Sequence, residues 1–294
     1  MNLMKFKKYF FLISAIVIVP GLISLFMFGL KPAIDFTGGS LLELKFLDGT
    51  KFESYSDEKF REISAEQLEI NSLQPSEGNA LIIKAKTINN EDKDFLVEEI
   101  VAEYGAVEVL RFETVGPLLG AELLKKTIAA VILVAGVITL YVWRQFDELK
   151  YGVSAVLAMF HDSLVLLGAF SILGHFFNVE VDVLFVTAVL TTLSFSIHDT
   201  IVVYDRIREL RKKHRRLALE EVANAAVLET LSRSINNSIT IILMLFALVL
   251  LGGDSIQHFS LALLIGAITG TYSSTFTAVP LLIVWEELAA KKKS

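Results

Sequence analysis

Asp199 sits inside a long, almost uncharged run and Arg233 at the edge of another. An ionisable side chain within a membrane span is costly and normally faces the bundle interior or a wet cavity, so such a carboxylate points to charge or proton handling. Asp199 lies six residues before the Asp205–Arg206 pair that marks the end of its span, about 9 Å of helix. The plainer alternative is a carboxyl tied up by Ser and Thr hydroxyls to pack helices. A guanidinium next to an apolar run either snorkels to the interface or pairs with an interior acid, and position alone leaves both open for Arg233. His198, Thr200, Asn236 and Ser273 are accessory candidates on the same and neighbouring spans. His198 adjoins the acid, and an imidazole titrates near neutral pH. Its direction on a helix differs by about 100°, which favours a hydrogen-bonding part over a relay.

Other chemistries are excluded cheaply. The sequence has no Cys, which removes disulfides, thiol nucleophiles and cysteine-held zinc or iron–sulfur sites together. HExxH, GxSxG, the P-loop and GxGxxG are missing, and no enzyme activity, metal or cofactor is expected. His161–Asp162 and His198–Asp199 are neighbouring pairs inside apolar runs, but consecutive helical residues point about 100° apart and do not both face one metal. A net charge of -6 gives no overall basic surface for nucleic acid.

The elements that must hold these residues are membrane helices. In 294 residues, 53% are hydrophobic and 20% charged, with mean hydropathy +0.58, which rules out both disorder and an ordinary soluble domain. Residues 9–30 carry no charge and reach about 33 Å as a helix, a bilayer core's thickness. That run is longer than a signal-peptide core and lacks a small-x-small cleavage pattern, so it reads as an uncleaved anchor. Further spans fall near 127–143, 151–177, 183–204, 235–251 and 259–285, six in all. Sixteen basic residues lie in the N-terminus (Lys5, Lys7, Lys8), the loop with Arg144 and Lys150, the segment 206–233 and the tail 291–293, while loops 178–182 and 252–257 hold none. The charge bias puts those four segments and both termini in the cytoplasm. Small and hydroxylated residues crowd the last two spans, and Gly266-x-x-x-Gly270 is a close-packing pattern.

Residues 31–126 hold 19 of the 33 carboxylates and fall on the exterior side. Alternation at 41–46, 80–85 and 107–112 predicts strands, helices are predicted at 57–66 and 91–104, and a weaker strand near 68–73 completes a βαββαβ, ferredoxin-like order. The division is an anchor at 1–30, the exterior α+β domain at 31–120, a five-helix bundle at 121–290 and a basic tail at 291–294. Near 209–232, basic residues followed by Leu219, Val222, Ala226 and Leu228 predict a cytoplasmic interfacial helix on anionic lipid.

Several dispersed motifs carry a resemblance. Ile34-Asp35-Phe36-Thr37-Gly38-Gly39 follows the first span, and Val115-Gly116-Pro117 with Gly120 and Glu122-Leu123 precedes the second. The fourth carries Ser196-Ile197-His198-Asp199-Thr200-Ile201-Val202-Val203-Tyr204-Asp205-Arg206-Ile207-Arg208-Glu209. Thr230-Leu231-Ser232-Arg233-Ser234-Ile235-Asn236 opens the fifth, and Gly270-Thr271-Tyr272-Ser273-Ser274 with Pro280-Leu281-Leu282 lies in the sixth. Together they resemble the SecF family of bacterial protein-export membrane proteins, over nearly the whole chain. The resemblance implies half of an RND-type transporter, six spans with one exterior domain. It also implies a SecD partner, the SecYEG channel, a translocating preprotein and a bacterial inner-membrane location, and leaves open an auxiliary subunit such as YajC. The implied driving force is the proton gradient, with Asp199 and Arg233 serving proton transport. Departures are His198 where the family usually has Asn, and Asn237 and Ile241 in place of Thr. The first rival is an RND-like exporter half for small molecules or lipids. The second is a structural assembly factor.

Overall fold

The computed structural model describes residues 2–47, 57, 58, 60, 69–76, 79–146 and 148–291. Its elements in chain order are α1 (Lys7–Phe28), β1 (Gly39–Phe46), β2 (Ile70–Ser76), β3 (Ala80–Ala85), α2 (Asn90–Tyr104), β4 (Val107–Val115), α3 (Pro117–Gln145), α4 (Leu149–Phe177), α5 (Val183–Lys213), α6 (Leu219–Leu251), α7 (Asp254–Ser273) and α8 (Val279–Lys291). Single helical turns lie at Leu3–Phe6 and Ile34–Thr37, and a π-helical turn, Ser274–Ala278, joins the last two helices. The chain divides into two compact units, Met1–Lys31 with Ala129–Ser294, and Pro32–Ile128.

The unit Pro32–Ile128 holds one antiparallel sheet in the order β2-β3-β1-β4, the strand order of a ferredoxin-like sandwich. The predicted strands at 41–46, 80–85 and 107–112 fall in β1, β3 and β4, and the weaker one near 68–73 overlaps β2. The helix predicted at 57–66 lies largely outside the described residues. Period-two alternation puts Leu42, Leu44 and Phe46 on one face of β1, with Leu42 opposite Ile83 and Phe112. Against that face α2 buries Leu96, Ile100 and Tyr104, spaced by four, and each such burial contributes roughly 1.5–3 kcal/mol. Asn89 and Asp92 close its first turn as a reciprocal capping box, with bonds of 2.9 and 3.2 Å. On β4, Arg111 and Glu113 share a face and pair through two bonds of 2.9 and 2.8 Å, which pushes the guanidinium above its ordinary range.

Gly38 has a positive φ of 74°, and a Cβ there would lie 2.7 Å from the Cα of Pro117; one at Gly120 would lie 2.9 Å from the Gly38 nitrogen. Only glycine permits this backbone contact. It draws the first turns of α3 into the unit, which runs to Ile128 beyond the sequence boundary at 120.

In the other unit the helices are long and apolar. Among the described residues, six segments are long and apolar enough to cross a membrane: Leu3–Phe28, Pro117–Gln145, Leu149–Phe177, Val183–Lys213, Leu219–Leu251 and Ile256–Lys291. Their exposed apolar rows, such as Ile132, Leu133, Val137 and Leu140 on α3, suit lipid or another helix rather than water. This is a multi-pass membrane protein. Helices α1 and α4 run side by side along one seam. Ser24 bonds Ser171 at 2.9 Å, Lys31 reaches Asn178 at 3.1 Å, and the Cβ of a residue at Gly168 would meet the Gly21 Cα at 2.6 Å. Each pair keeps the same offset in sequence, and the steps of seven and three residues are those of a coiled-coil seam built from small residues.

Four of the segments rich in charge come together at one end of the bundle. Lys7 pairs with Glu220 at 3.2 Å and also with Glu287, Lys150 with Glu286 at 2.9 Å, and Arg211 with Glu286 at 4.0 Å.

The interfacial helix predicted near 209–232 is not a separate element. Helix α5 continues to Lys213, residues 214–218 turn, and α6 starts at Leu219. Its stripe of Leu219, Val222, Ala223, Ala226 and Val227 packs into the bundle core with Tyr204, Ile207 and Leu210. An apolar stripe marks a face to be covered, and here protein covers it instead of lipid.

Candidate functional site

Asp199 lies on α5 with only 4% of its surface exposed. Its Oδ2 is buried without a hydrogen-bond partner, and so are the hydroxyls of Ser196 and Ser238. Buried carboxyls are normally bonded, because an unpaired charge in a poorly polarisable interior is expensive. The Nδ1 of His198, a side chain that is 76% exposed, is 3.9 Å away. The hydroxyls expected to occupy the acid are engaged elsewhere. Thr200 donates to the Ser196 carbonyl within its own helix at 2.9 Å, and Ser273 donates to Asp162 at 2.5 Å.

Helices α5 and α6 are antiparallel, and Arg206 bonds Glu229 at 2.5 Å across them. Seven residues back from Arg206 and seven on from Glu229 bring Asp199 level with Asn236. Arg233 is then three residues, about 4.5 Å of helix, nearer the charged end. It lines a cleft of about 530 Å³ with Val202, Asp205, Arg206, Glu209, Glu229 and Thr230. Arg233 and Asp199 form no ion pair here, and His198, Arg233 and Asn236 are exposed on the lone chain. An exposed polar face on membrane-spanning helices calls for a covering surface.

Between α5 and α7 the contacts are backbone-close. A methyl on Gly266 would run into Thr192, and one on Gly270 would lie 3.2 Å from the Phe195 ring and 3.4 Å from the Ser196 Cα. Thr192 to Ser196 and Gly266 to Gly270 are equal steps, so the two helices run in one direction. Asp199 and Ser273, each three residues further on, share a depth.

The sequence pattern missed a second buried acid. Asp162 on α4 is 3% exposed and fully engaged, accepting from Ser273 and lying 2.9 Å from the Nδ1 of His161. The rule that singled out Asp199 applies equally to it, since it stands in the middle of the third span. In sequence it reads as half of a neighbouring pair whose directions on a helix do not suit one metal. The two side chains nonetheless swing far enough to bond each other.

Among the described residues, six membrane-length apolar helices, with a small antiparallel α+β unit inserted after the first, define a multi-pass membrane protein. Residues 96–288 match the family model described as protein export membrane protein SecD/SecF, C-terminal, and residues 23–46 match the SecD/SecF GG motif. The chain belongs to the SecD/SecF family. It is 38% identical over 297 residues to the protein translocase subunit SecF of Thermobaculum terrenum, covering 97% of this chain and 94% of that one. To SecF of Synechocystis sp. it is 33% identical over 304 residues, covering 99% and 96%. The crystal structure of SecDF from Thermus thermophilus, a translocon-associated membrane protein, superposes with a TM-score of 0.84 at 32% identity. The match takes in 98% of this chain, which spans only 39% of that one. A SecDF structure in the super-membrane-facing form gives 0.72 at 30% identity, with 100% and 40% coverage.

Proposed function

We propose that this chain is a protein-export subunit that couples inward proton flow to preprotein movement, working with a SecD-type partner beside the SecYEG channel. The single observation that carries the reading is the unpartnered, buried carboxyl of Asp199. A carboxyl oxygen without a partner takes up and releases a proton without breaking an existing hydrogen bond. Arg233 lies about one turn away and unpaired, so a small slide of α6 along α5 brings guanidinium to carboxylate. Protonation then chooses between two helix packings. The chain's share of the longer SecDF relatives, and the exposed polar face of α5 and α6, support a partner bundle. The charged segments gathered at one end support cytoplasmic termini in the inner membrane, with Pro32–Ile128 on the exterior side.

Asp199→Asn tests this directly, because Asn keeps shape and hydrogen bonding but cannot exchange a proton. Export is measured in vesicles with and without an imposed proton gradient, normalised to assembled complex. Normal assembly with loss of the gradient-dependent stimulation is expected. Undiminished gradient dependence overturns the reading, and low abundance with full activity per complex assigns the residue to structure.

A further inference from the structure

Away from Asp199, five side chains from three parts of the bundle make one buried hydrogen-bonded chain. Thr277 and Ser14 lie 3.4 Å apart, Ser14 is 3.0 Å from the Nε2 of His161, the Nδ1 of His161 is 2.9 Å from Asp162, and Ser273 is 2.5 Å from the other Asp162 oxygen. His161 is 9% exposed, Ser14 7%, Thr277 4%, Asp162 3% and Ser273 not at all. Ser273 directly precedes the π-helical turn and Thr277 lies within it, so the chain holds both flanks of that turn. The carbonyl of Ala278, the last residue of the turn, accepts from the Tyr204 hydroxyl at 2.8 Å. Such turns often occur at functional sites.

We propose that His161 and Asp162 form a second proton-binding site of the bundle, in which one exchangeable proton is shared by the pair and its occupancy is registered at the π-helical turn. The argument is a donor count. With the proton present, His161 donates through Nδ1 to Asp162 and through Nε2 to Ser14, and Ser14 donates to Thr277. With the proton given up to water, His161 keeps its Nδ1 hydrogen, Ser14 turns to donate to Nε2, and Thr277 donates to Ser14. Ser273 donates to Asp162 in both states. Both assignments fit the same heavy-atom positions and leave every member bonded, so the proton comes and goes by reversing two hydroxyls. The protonated pair is neutral overall and the other state carries one negative charge, which a membrane interior disfavours.

Among the described residues, the other titratable groups that the packed helices bury in this bundle are Tyr151 on α4, Asp199 and Tyr204 on α5, and the partly buried Tyr272 on α7, whose hydroxyl also meets Ser14. The Tyr272 ring stacks 6.4 Å from the His161 ring, and its hydroxyl donates to the Phe10 carbonyl at 2.8 Å. None supplies a cation that would compete with His161 for Asp162.

The inference deepens the proton-driven reading, but its test does not run through export. Infrared difference spectra between alkaline and acidic media are recorded on the full chain with its native membrane partner, in vesicles, in an Asp199→Asn background. A pH-sensitive carboxyl or imidazole band is expected there, and is expected to disappear on adding either Asp162→Asn or His161→Gln. Should Asp162→Asn fail to accumulate, His161→Gln, which keeps a bond to Ser14, carries the test. Spectra that superimpose with and without these substitutions, or a band lost in neither, overturn the site and leave the chain of bonds a packing device. Failure of the Asp199 reading shows in export and leaves this band in place.

Discussion

Asp162 and Asp199 are the same residue type, buried to the same degree, and α7 presents Ser273 to the first at the depth of the second. One is bonded at both carboxyl oxygens, while the other has a buried oxygen with no partner, and the buried Ser196 and Ser238 hydroxyls likewise have none. The difference lies in what surrounds them. Asp162 is bonded within the interface of α1, α4 and α7, whereas Asp199 is buried on α5 at the level of α6 where Arg233, Asn236 and the adjacent His198 are exposed. A completed network fixes one arrangement of helices, and an incomplete one leaves a group whose partners are still to be chosen.

Truncation separates the two most strongly. Asp162→Ala strands the Ser273 hydroxyl and His161 in an apolar interior, and removing one member of such a buried set costs roughly 3–5 kcal/mol. Asp199→Ala strands nothing and is expected to leave stability unchanged or slightly raised. Thermal unfolding of the detergent-solubilised complex is the measurement, and equal losses for both variants would erase the distinction. Gly168→Val is a more remote probe of the same contrast. Forcing a side chain against Gly21 widens the α1–α4 seam and draws Ser14 from His161, at about 1–3 kcal/mol for overpacking. The expected outcome is a lower unfolding midpoint, with gradient dependence per assembled complex intact. Loss of that dependence at normal stability would tie the Asp162 network to coupling in its own right.

The contrast also shows where sequence stops being readable. The spans, the period-two strands β1, β3 and β4, and Asp199 itself are legible because each signal is local: a charge-free run, an alternation, an acid near the end of a span. Beyond His161, the bonded chain around Asp162 is not local. Ser14 lies 147 residues from His161, and Ser273 lies 111 from Asp162, so only the packed register of α1, α4 and α7 brings them together. The start of α6 misled for a related reason, since the stripe at Leu219, Val222 and Ala226 looks alike whether lipid or Tyr204 and Ile207 cover it.

On the open side, Arg233→Lys keeps the charge and loses the planar fork that grips a carboxylate in two bonds. If the guanidinium meets Asp199 only in the alternate packing, the substitution leaves the unfolding midpoint alone and weakens gradient-driven export to an intermediate degree. Export equal to that of the unaltered chain would place Arg233 with the surface charges of its cleft and outside the coupling.

His198→Asn is the smallest expected effect and the finest division of the comparison. His198 adjoins Asp199 in sequence as His161 adjoins Asp162, yet His161 is buried and bonded at both nitrogens, while His198 is 76% exposed with its Nδ1 3.9 Å from the acid, beyond a hydrogen bond. Surface replacements of this kind usually change stability by no more than about 0.5 kcal/mol. An amide can offer the carboxyl the same donor without binding a proton. Gradient-driven export within about twofold of the original is therefore expected, which corresponds to about 0.4 kcal/mol in a rate. A tenfold loss at normal assembly would show that proximity in sequence suffices for a relay without burial, and the two His–Asp pairs would then be of one kind.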